Sequence, residues 1–228
     1  MSTYLELCQK MVRDLGLSND ISTVVSQTGM NRKIVDWVAD ADEAIQTLWE
    51  DWNFLWAQFS TTTISGVREY SKPADFGTWD LASFYLDYTS DNYQHLIPMD
   101  YIEWRRNYRQ GTQSTSKPTY FILTPENNIY LHEIPDGAYT LTADYWKAPT
   151  RLSANTDTSA IPTRFERIII ARAKIYYAEH EEFPAVLELA SSEYKSLLDK
   201  LEAAELPGVH RARRKARNHD MDLTIRAL

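Results

Sequence analysis

Carboxylates are the most numerous residues with catalytic potential in this sequence, which contains 32 Asp and Glu among 228 residues. Two carboxyl groups held several ångströms apart can share the acid and base steps of glycoside hydrolysis. Candidates for such a pair are Glu43, Glu50, Asp51, Asp75, Asp80 and Asp87. In a chain with so many acids, however, plausible pairs arise by chance, and a solvated acidic surface is the favoured interpretation. A glycoside hydrolase therefore stays an alternative.

Histidine supplies general bases and metal ligands, and a metal site requires several of them to converge with carboxylates. The five histidines are His95, His132, His180, His210 and His219. His132 alternates with Tyr130 and Ile134 in a predicted strand, which indicates a half-exposed sheet position. His180 is predicted to end a helix, where an imidazole interacts favourably with the carbonyl-end dipole. We therefore expect no metal site.

Familiar catalytic motifs are absent from the sequence. The seven glycines are not arranged as GxxxxGK[ST] or GxGxxG, and GxSxG, HExxH and EF-hand patterns do not occur. Cys8 is the single cysteine, so one chain can form neither an internal disulfide nor a cysteine-based zinc site. We expect a non-enzymatic protein without cofactors, from a reducing compartment.

A basic run, HRARRKAR, occupies residues 210–217 of an otherwise acidic chain. Residues 205–228 contain six Lys and Arg against three Asp and Glu, whereas residues 1–204 contain 18 basic and 29 acidic residues. Such a run can bind nucleic acid or remain a solvated tail. Apolar residues follow it, which favours an arm that docks on an acidic protein and orders on binding. The predicted docking arm comprises Arg211, Arg213, Arg214, Lys215, Arg217, Leu223, Ile225, Arg226 and Leu228.

Aromatic residues form a second candidate site in the segment WEDWNFLW, residues 49–56. Exposed aromatic rings can stack on single-stranded nucleic acid or sugar. Helical spacing instead places Trp49, Trp52 and Trp56 on one face, which favours core packing with some ring edges at a subunit interface. The predicted core or interface aromatics are Trp37, Trp49, Trp52 and Trp56.

Four amphipathic helices are predicted to support these residues. Apolar residues at three- and four-residue spacing predict a first helix over residues 3–15. A second helix is predicted from Asn31, as its cap, to about Trp56. A third covers residues 163–182, and a fourth runs from Pro184 to about residue 205, before a Pro-Gly stop.

The chain between the second and third helices has β character. Residues 119–134 predict a hairpin with a turn at Pro125-Glu126-Asn127-Asn128, and residues 139–147 alternate as a further strand. These segments together predict an antiparallel meander. A short helix is expected over residues 99–109, with Asp100 near its start.

This order of elements predicts an α+β protein that is mainly α. Residues 1–56 and 163–206 are expected to form an antiparallel helical bundle, because their apolar stripes need partners. Residues 57–162 are expected to form a small inserted β-rich lobe with a short helix. Residues 207–228 are expected to extend as a C-terminal arm.

Charge and hydropathy exclude several classes of protein. The formal net charge of −8 argues against a protein that coats nucleic acid over its whole surface. The sequence lacks an apolar run of about 18 residues, so no membrane span is expected. Its opening MSTYLELCQKMVRDLG lacks a basic start and a long apolar run, so no secretory signal is expected.

Three segments resemble the head-to-tail adaptor proteins of tailed bacteriophages, also called head completion or connector proteins. They are TYLELCQKMVRDLGLS, STVVSQTGMNRKIVDWVADADEAIQTLWEDWNFLW and IPTRFERIIIARAKIYYA. The resemblance implies a virion structural protein at the head–tail junction, made in the host bacterial cytoplasm. It also implies a ring of about twelve copies, whose C-terminal segments grip the portal protein. The β lobe would face the next tail component, such as a stopper, a tail terminator or a nozzle protein.

The implied ring surrounds genomic DNA, which would pass through its channel without specific binding. Acidic residues that line a channel repel DNA and let a duplex slide. Two alternatives stay open beside this function. One is a cell-wall glycan hydrolase of the virion, as proposed for some members of the family, although no catalytic residues carry over. The other is a nucleic-acid-binding module that uses the basic C-terminal tail.

Overall fold

The computed structural model describes residues 1–18, 20–89, 92–110 and 113–206. Among these residues 39% are helical and 22% lie in strands. The protein is therefore α+β, and the prediction of a mainly helical bundle with a small β insert is wrong. The chain forms two compact units. We call Met1–Leu55 with the chain from Pro149 onward the helical unit, and Trp56–Ala148 the β unit.

The helices follow one another along the chain as α1 (Tyr4–Asp14), α2 (Gly29–Gln46), α3 (Tyr101–Asn107), α4 (Arg167–His180) and α5 (Pro184–Glu205). Short 3-10 helices occur at Asn53–Leu55 and Thr163–Phe165. The strands are β1 (Trp56–Thr62), β2 (Glu69–Tyr70), β3 (Phe76–Trp79), β4 (Tyr85–Thr89), β5 (Asn92–His95), β6 (Ile97–Pro98), β7 (Thr115–Ser116), β8 (Tyr120–Leu123), β9 (Ile129–His132), β10 (Ile134–Pro135) and β11 (Thr140–Lys147). No helix of the described residues is long and apolar enough to cross a membrane.

Helix α1 confirms the first predicted helix, and its start is a capping box. The Thr3 hydroxyl accepts a hydrogen bond from the Glu6 amide, while the Glu6 carboxylate accepts one from the Thr3 amide. Gly16 follows the helix with a φ of +65°, a conformation that glycine adopts without a steric cost. The helix buries one face, made of Tyr4, Leu7, Cys8, Met11 and Val12.

Helix α2 ends at Gln46, so the prediction of a helix that reaches about Trp56 is wrong. The predicted cap is wrong as well, because α2 begins before Asn31. After Gln46 the chain turns, and the Trp52 indole N–H donates to the carbonyl of Ile45 (3.1 Å). The fully buried Trp52 thus packs back against the end of α2. Helical periodicity continues through this turn in the sequence, but the tertiary packing of one large ring overrides it.

The polar loop 149–162, which was predicted to belong to the β-rich lobe, makes hydrogen bonds to other parts of the helical unit. The Tyr4 amide donates to the carbonyl of Asp157 (2.7 Å). The Asn155 side chain accepts from the Val24 amide (2.7 Å). At the start of the loop, the Thr150 amide donates to the side-chain oxygen of Gln46, the last residue of α2 (3.2 Å). These bonds satisfy backbone groups that the loop would otherwise leave unpaired.

A buried carboxyl group lies beneath this loop. Asp42 on α2 has no exposed surface, and its carboxylate accepts hydrogen bonds from the hydroxyl of Ser159 and from the side-chain amide of Gln46 (2.8 Å). Burial raises the pKa of Asp42 to about 6, although the hydrogen bonds from Ser159 and Gln46 lower it. The loop therefore covers a carboxyl group whose pKa is raised to about 6.

The β unit contains two larger sheets. The five-stranded sheet has the order β1-β11-β4-β5, and β3 also pairs with β11. Strands β1 and β11 are antiparallel from the pair Trp56–Trp146 to the pair Thr62–Thr140. The four-stranded sheet has the order β2-β9-β8-β6, in which β6 and β8 are parallel. Strands β7 and β10 form a separate parallel pair.

Three of the four predictions for this region are confirmed, and β11 is the strand predicted over residues 139–147. Strands β8 and β9 form the predicted hairpin, and α3 forms the predicted short helix, with the Asp100 carboxylate accepting from the amides of Ile102 and Glu103. The predicted meander is wrong, because β11 pairs with β1, β3 and β4 rather than with the hairpin. Its partner β1 lies far away in sequence, so local pattern does not reveal the pairing.

Side chains of both larger sheets meet in one core. The buried core residues are Tyr70, Trp79, Phe84, Leu86, Leu96, Phe121, Ile129, Leu131, Leu141, Ala143 and Tyr145. Strand β3 approaches β11 closely at Gly77, where an added Cβ would lie 2.9 Å from the carbonyl oxygen of Trp146 and 3.0 Å from the amide nitrogen of Ala148. The pairing of β3 with β11 shifts register here, between Trp146 and Lys147. Glycine is therefore required for the close approach of the two backbones.

Candidate functional site

The four predicted core or interface tryptophans lie in different environments rather than on one helical face. Trp52 is fully buried and stacks on Phe54, with ring centroids 5.1 Å apart. Trp49 is half-buried, and its indole N–H donates to the Glu202 carboxylate (3.1 Å). Trp37 is half-buried on α2, whereas Trp56 begins β1 and is 49% exposed. Because Trp52 is fully buried, its ring cannot stack on a ligand at the surface.

The acidic candidates include ion-paired residues. In the helical unit, Glu43 pairs with Arg151 (3.0 Å). In the β unit, Asp75 pairs with Lys147 (3.2 Å) and accepts a hydrogen bond from the Tyr145 hydroxyl (2.8 Å). Burial raises the pKa of Asp75, but the hydrogen bonds from Tyr145 and Lys147 outweigh it and hold the pKa below its ordinary value. A general acid needs the opposite shift, so Asp75 is not prepared for that role.

The two histidines considered as metal ligands lie in the two different units. His132 ends β9, and burial lowers its pKa. His180 ends α4, as predicted, and its Nδ1 lies 2.8 Å from a carboxylate oxygen of Glu181. Within residues 1–18, 20–89, 92–110 and 113–206, no group of three or more His, Cys, Asp and Glu side chains is arranged to hold a metal ion.

The predicted docking arm, Arg211 to Leu228, lies outside the described residues. It follows α5, whose C-terminal cap is Leu206. Its role in docking stays a prediction from the sequence.

An apolar groove of about 330 Å³ lies between the end of α1 and the helices α4 and α5. Its apolar lining includes Leu15, Tyr177, Phe183, Val186 and Leu189. Phe183 is 48% exposed and Leu189 is 73% exposed. The two exposed side chains lie beside one groove, which makes this surface a candidate site for binding a polypeptide segment.

Ion pairs fix one side of this groove, which we call the α4–α5 groove. Lys174 pairs with Asp14 (3.0 Å) and lies 3.9 Å from Glu193. Arg167 pairs with the same two carboxylates. Partial burial raises the pKa of Asp14, but Lys174 and then Arg167 outweigh it and hold the pKa below its ordinary value. The network joins α1, α4 and α5, so the groove is a preformed surface.

The segment that supplies Phe183 and Leu189 to the α4–α5 groove is acidic in sequence, and its Glu193 lines the groove and pairs with Arg167 and Lys174. Residues 179–193 contain five Glu and no Lys or Arg. Of these, Glu179, Glu182 and Glu188 are exposed. We call residues 179–193 the acidic collar. An apolar groove beside such a collar fits a polypeptide that carries both apolar and basic side chains.

The β unit presents an apolar loop tip between β1 and β2. Ile64 is 62% exposed and Val67 is 38% exposed. The Tyr70 hydroxyl accepts from the Ile64 amide and donates to the Val67 carbonyl, both at 3.0 Å. The Gly66 amide donates to the carbonyl of Pro135 (2.9 Å). The tip is therefore held in one conformation, which reduces the entropy cost of a protein contact.

Neither the α4–α5 groove nor the loop tip is predicted by the sequence pattern. Leu189 fits the apolar spacing of α5, which favours a buried position, yet the side chain is 73% exposed. The signal for the collar was present as five Glu without a basic residue in 15 positions. The Ile64–Val67 tip carries a turn signal at Ser65-Gly66, but its exposure depends on the strands around it.

Comparison with sequence models of known protein families shows to which family the chain belongs. No curated protein matches the chain. The sequence model described as SU10 adaptor protein matches residues 2–219, which include both units. This match confirms the resemblance to phage head-to-tail adaptors. The chain therefore belongs to the SU10 adaptor protein family, a family of structural adaptor proteins of phages.

Proposed function

We propose that this adaptor is one subunit of a homo-oligomeric ring of twelve copies that joins the portal to the tail and forms part of the DNA channel. The observation that carries the proposal is the family match over residues 2–219. The ring lies at the head–tail junction of the virion. Its partners are the portal, neighbouring copies and a downstream tail component.

The C-terminal arm is the element that grips the portal in this proposal. Its basic side chains, from Arg211 to Arg217, meet acidic portal surface and raise the rate of encounter. Leu223, Ile225 and Leu228 fill apolar pockets, and each contributes about 1.5–3 kcal/mol when fully buried. The anchors therefore control the lifetime of the joint, since affinity within one interface varies mainly through dissociation.

The body of the subunit faces other partners. Residues 1–204 carry 11 more acidic than basic residues, which suits a channel wall that repels DNA and lets it slide. The Ile64–Val67 tip offers the β unit an exposed apolar contact for the next tail component or a neighbouring copy. No catalytic step is assigned, in keeping with a structural family.

Deletion of residues 209–228 tests the proposal directly. The segment follows the end of α5, so the truncated protein should remain folded. We expect that it no longer co-sediments with DNA-filled heads and that infectious yield falls. Truncated protein that still joins the heads and supports normal yield would show that the arm does not grip the portal.

Two full-length variants distinguish the contribution of the basic residues of the arm from that of its apolar residues. Neutral replacement of Arg211, Arg213, Arg214, Lys215 and Arg217 should slow assembly, mainly at low salt, because charge attraction is screened at high salt. Leu223→Ala with Ile225→Ala should instead weaken the finished joint at every salt concentration. Light scattering should find the isolated protein as a monomer or small oligomer at micromolar concentration, with a ring only on the portal.

Two further measurements address the alternative functions. Release of dye from labelled peptidoglycan by the purified protein would favour a glycan hydrolase. Salt-dependent DNA binding that disappears with the basic residues of the arm would favour a nucleic-acid-binding module. We expect neither result.

A further inference from the structure

We propose that, in the protein before assembly, the C-terminal segment docks in the α4–α5 groove of its own chain, with its basic run against the acidic collar. The groove is the binding site, and residues 209–228 are the segment that binds in it. This inference goes beyond the proposed function, because it concerns the isolated protein and no portal takes part in it.

The groove has the shape and chemistry of a receptor for short apolar side chains. It offers about 330 Å³ between helices that ion pairs hold together. Leu189 is 73% exposed at its edge, although Ala190, the next residue of α5, is 3% exposed. An apolar side chain laid against Leu189 and Phe183 would remove apolar surface from water, which is favourable.

Charge identifies the occupant. Residues 209–228 contain six Lys and Arg against two Asp, whereas the acidic collar contains five Glu and no Lys or Arg. The same segment contains apolar side chains beyond its basic run, at Leu223, Ile225 and Leu228. It therefore combines the two properties that the groove and the collar require.

Charge also disfavours a second copy of the chain as the occupant. A symmetric contact through this groove would place two acidic collars opposite each other, because a twofold interface uses the same patch on both subunits. Glu193 is paired with Arg167 and Lys174, so the opposed charge would come from Glu179, Glu181, Glu182 and Glu188 of each copy. Like charges opposed across an interface disfavour association.

The chain is long enough for the docking. Ile225 is 19 residues beyond Leu206, the C-terminal cap of α5. An extended chain of this length spans up to about 60 Å. The path back along α5 from Leu206 to Leu189 rises only about 25 Å. A tethered segment also acts at a high effective concentration, which favours docking on its own chain over docking on another molecule.

Disulfide trapping in the full-length protein tests the proposal. The variant Leu189→Cys with Ile225→Cys places one thiol in the groove and one in the segment. Its control, Ser191→Cys with Ile225→Cys, uses an exposed position about 200° around the same helix from Leu189. The native Cys8 is fully buried and does not compete. Because Leu189 and Ser191 are both exposed, both variants are expected to fold.

Mild oxidation with diamide at micromolar protein concentration should yield a disulfide-bonded monomer, seen as a faster band on a non-reducing gel. We expect the groove pair to form it at least about tenfold faster than the control pair, since docking raises the local thiol concentration. Leu223→Ala and added salt should each slow the reaction of the groove pair. Equal rates for the two pairs would overturn the proposal, and so would a disulfide-bonded dimer in place of the monomer.

Discussion

The rings of Phe84 and Phe121 lie parallel in the core of the β unit, with centroids 3.8 Å apart and planes inclined by 10°. Phe84 directly precedes β4 of the five-stranded sheet, whereas Phe121 lies on β8 of the four-stranded sheet. Both side chains are almost completely buried. This pair therefore joins the two sheets of the β unit.

Phe121→Ala should lower the free energy of unfolding by about 3–5 kcal/mol, because it removes the stacked ring and leaves a cavity. Urea denaturation followed by circular dichroism measures the loss. Leu81→Ala is the control, since Leu81 is 51% exposed, and it should cost less than about 0.5 kcal/mol. A similarly small loss for Phe121→Ala would mean that the two sheets do not depend on a shared core.

Gly77→Ala should destabilise the protein by about 1–3 kcal/mol, because the added methyl group meets the backbone of β11. Gly137→Ala is a matched control, where an added Cβ would lie 3.4 Å from the side-chain oxygen of Tyr139 and meets no backbone. The difference in melting temperature between the two variants checks the prediction. Equal melting temperatures would contradict the close approach of β3 to β11.

Trp52→Ala should lower the free energy of unfolding by about 3–5 kcal/mol, since the ring is fully buried against the end of α2. Trp56→Ala should cost far less, because Trp56 is 49% exposed. Denaturant titration of both variants provides the comparison. A loss below about 1 kcal/mol for Trp52 would place its ring at the surface and restore the stacking-platform hypothesis.

The buried Asp42 should make stability depend on pH. Its pKa is raised to about 6 in the folded protein, compared with about 3.9 in an unfolded chain. The Asp42 carboxyl group therefore binds its proton more tightly in the folded state than in the unfolded state. As a result, the free energy of unfolding should fall by roughly 2–3 kcal/mol as the pH rises from about 4 to above 6. Carboxyls with lowered pKa, such as Asp14, lose their stabilising effect only at more acidic pH.

Asp42→Asn removes this titration, so the fall in stability across the same pH range should become smaller. Glu126→Gln, at an exposed loop position, is the control and should leave the pH dependence unchanged. Thermal melts at about pH 4.5, 5.5 and 7 measure the slopes. Identical slopes for wild type and Asp42→Asn would show that Asp42 is not the titrating group.

Local sequence determined much of the secondary structure. The capping box at Thr3 and Glu6, the periodicity of α4, Pro184 at the start of α5 and the β8–β9 hairpin all depend on residues close together in the chain. Local propensities and caps act over a few residues, so a sequence pattern contains them. The family resemblance likewise depended on the order of residues alone.

Only the tertiary structure decided where these elements go and which apolar faces remain open. The end of α2 at Gln46 depends on the burial of Trp52, and the size of the β unit depends on the pairing of β11 with β1. Leu189 has the spacing of a core residue, yet no described element covers it. Periodicity specifies that a face is apolar, whereas burial requires a partner surface, and that partner is set by contacts between residues far apart in sequence.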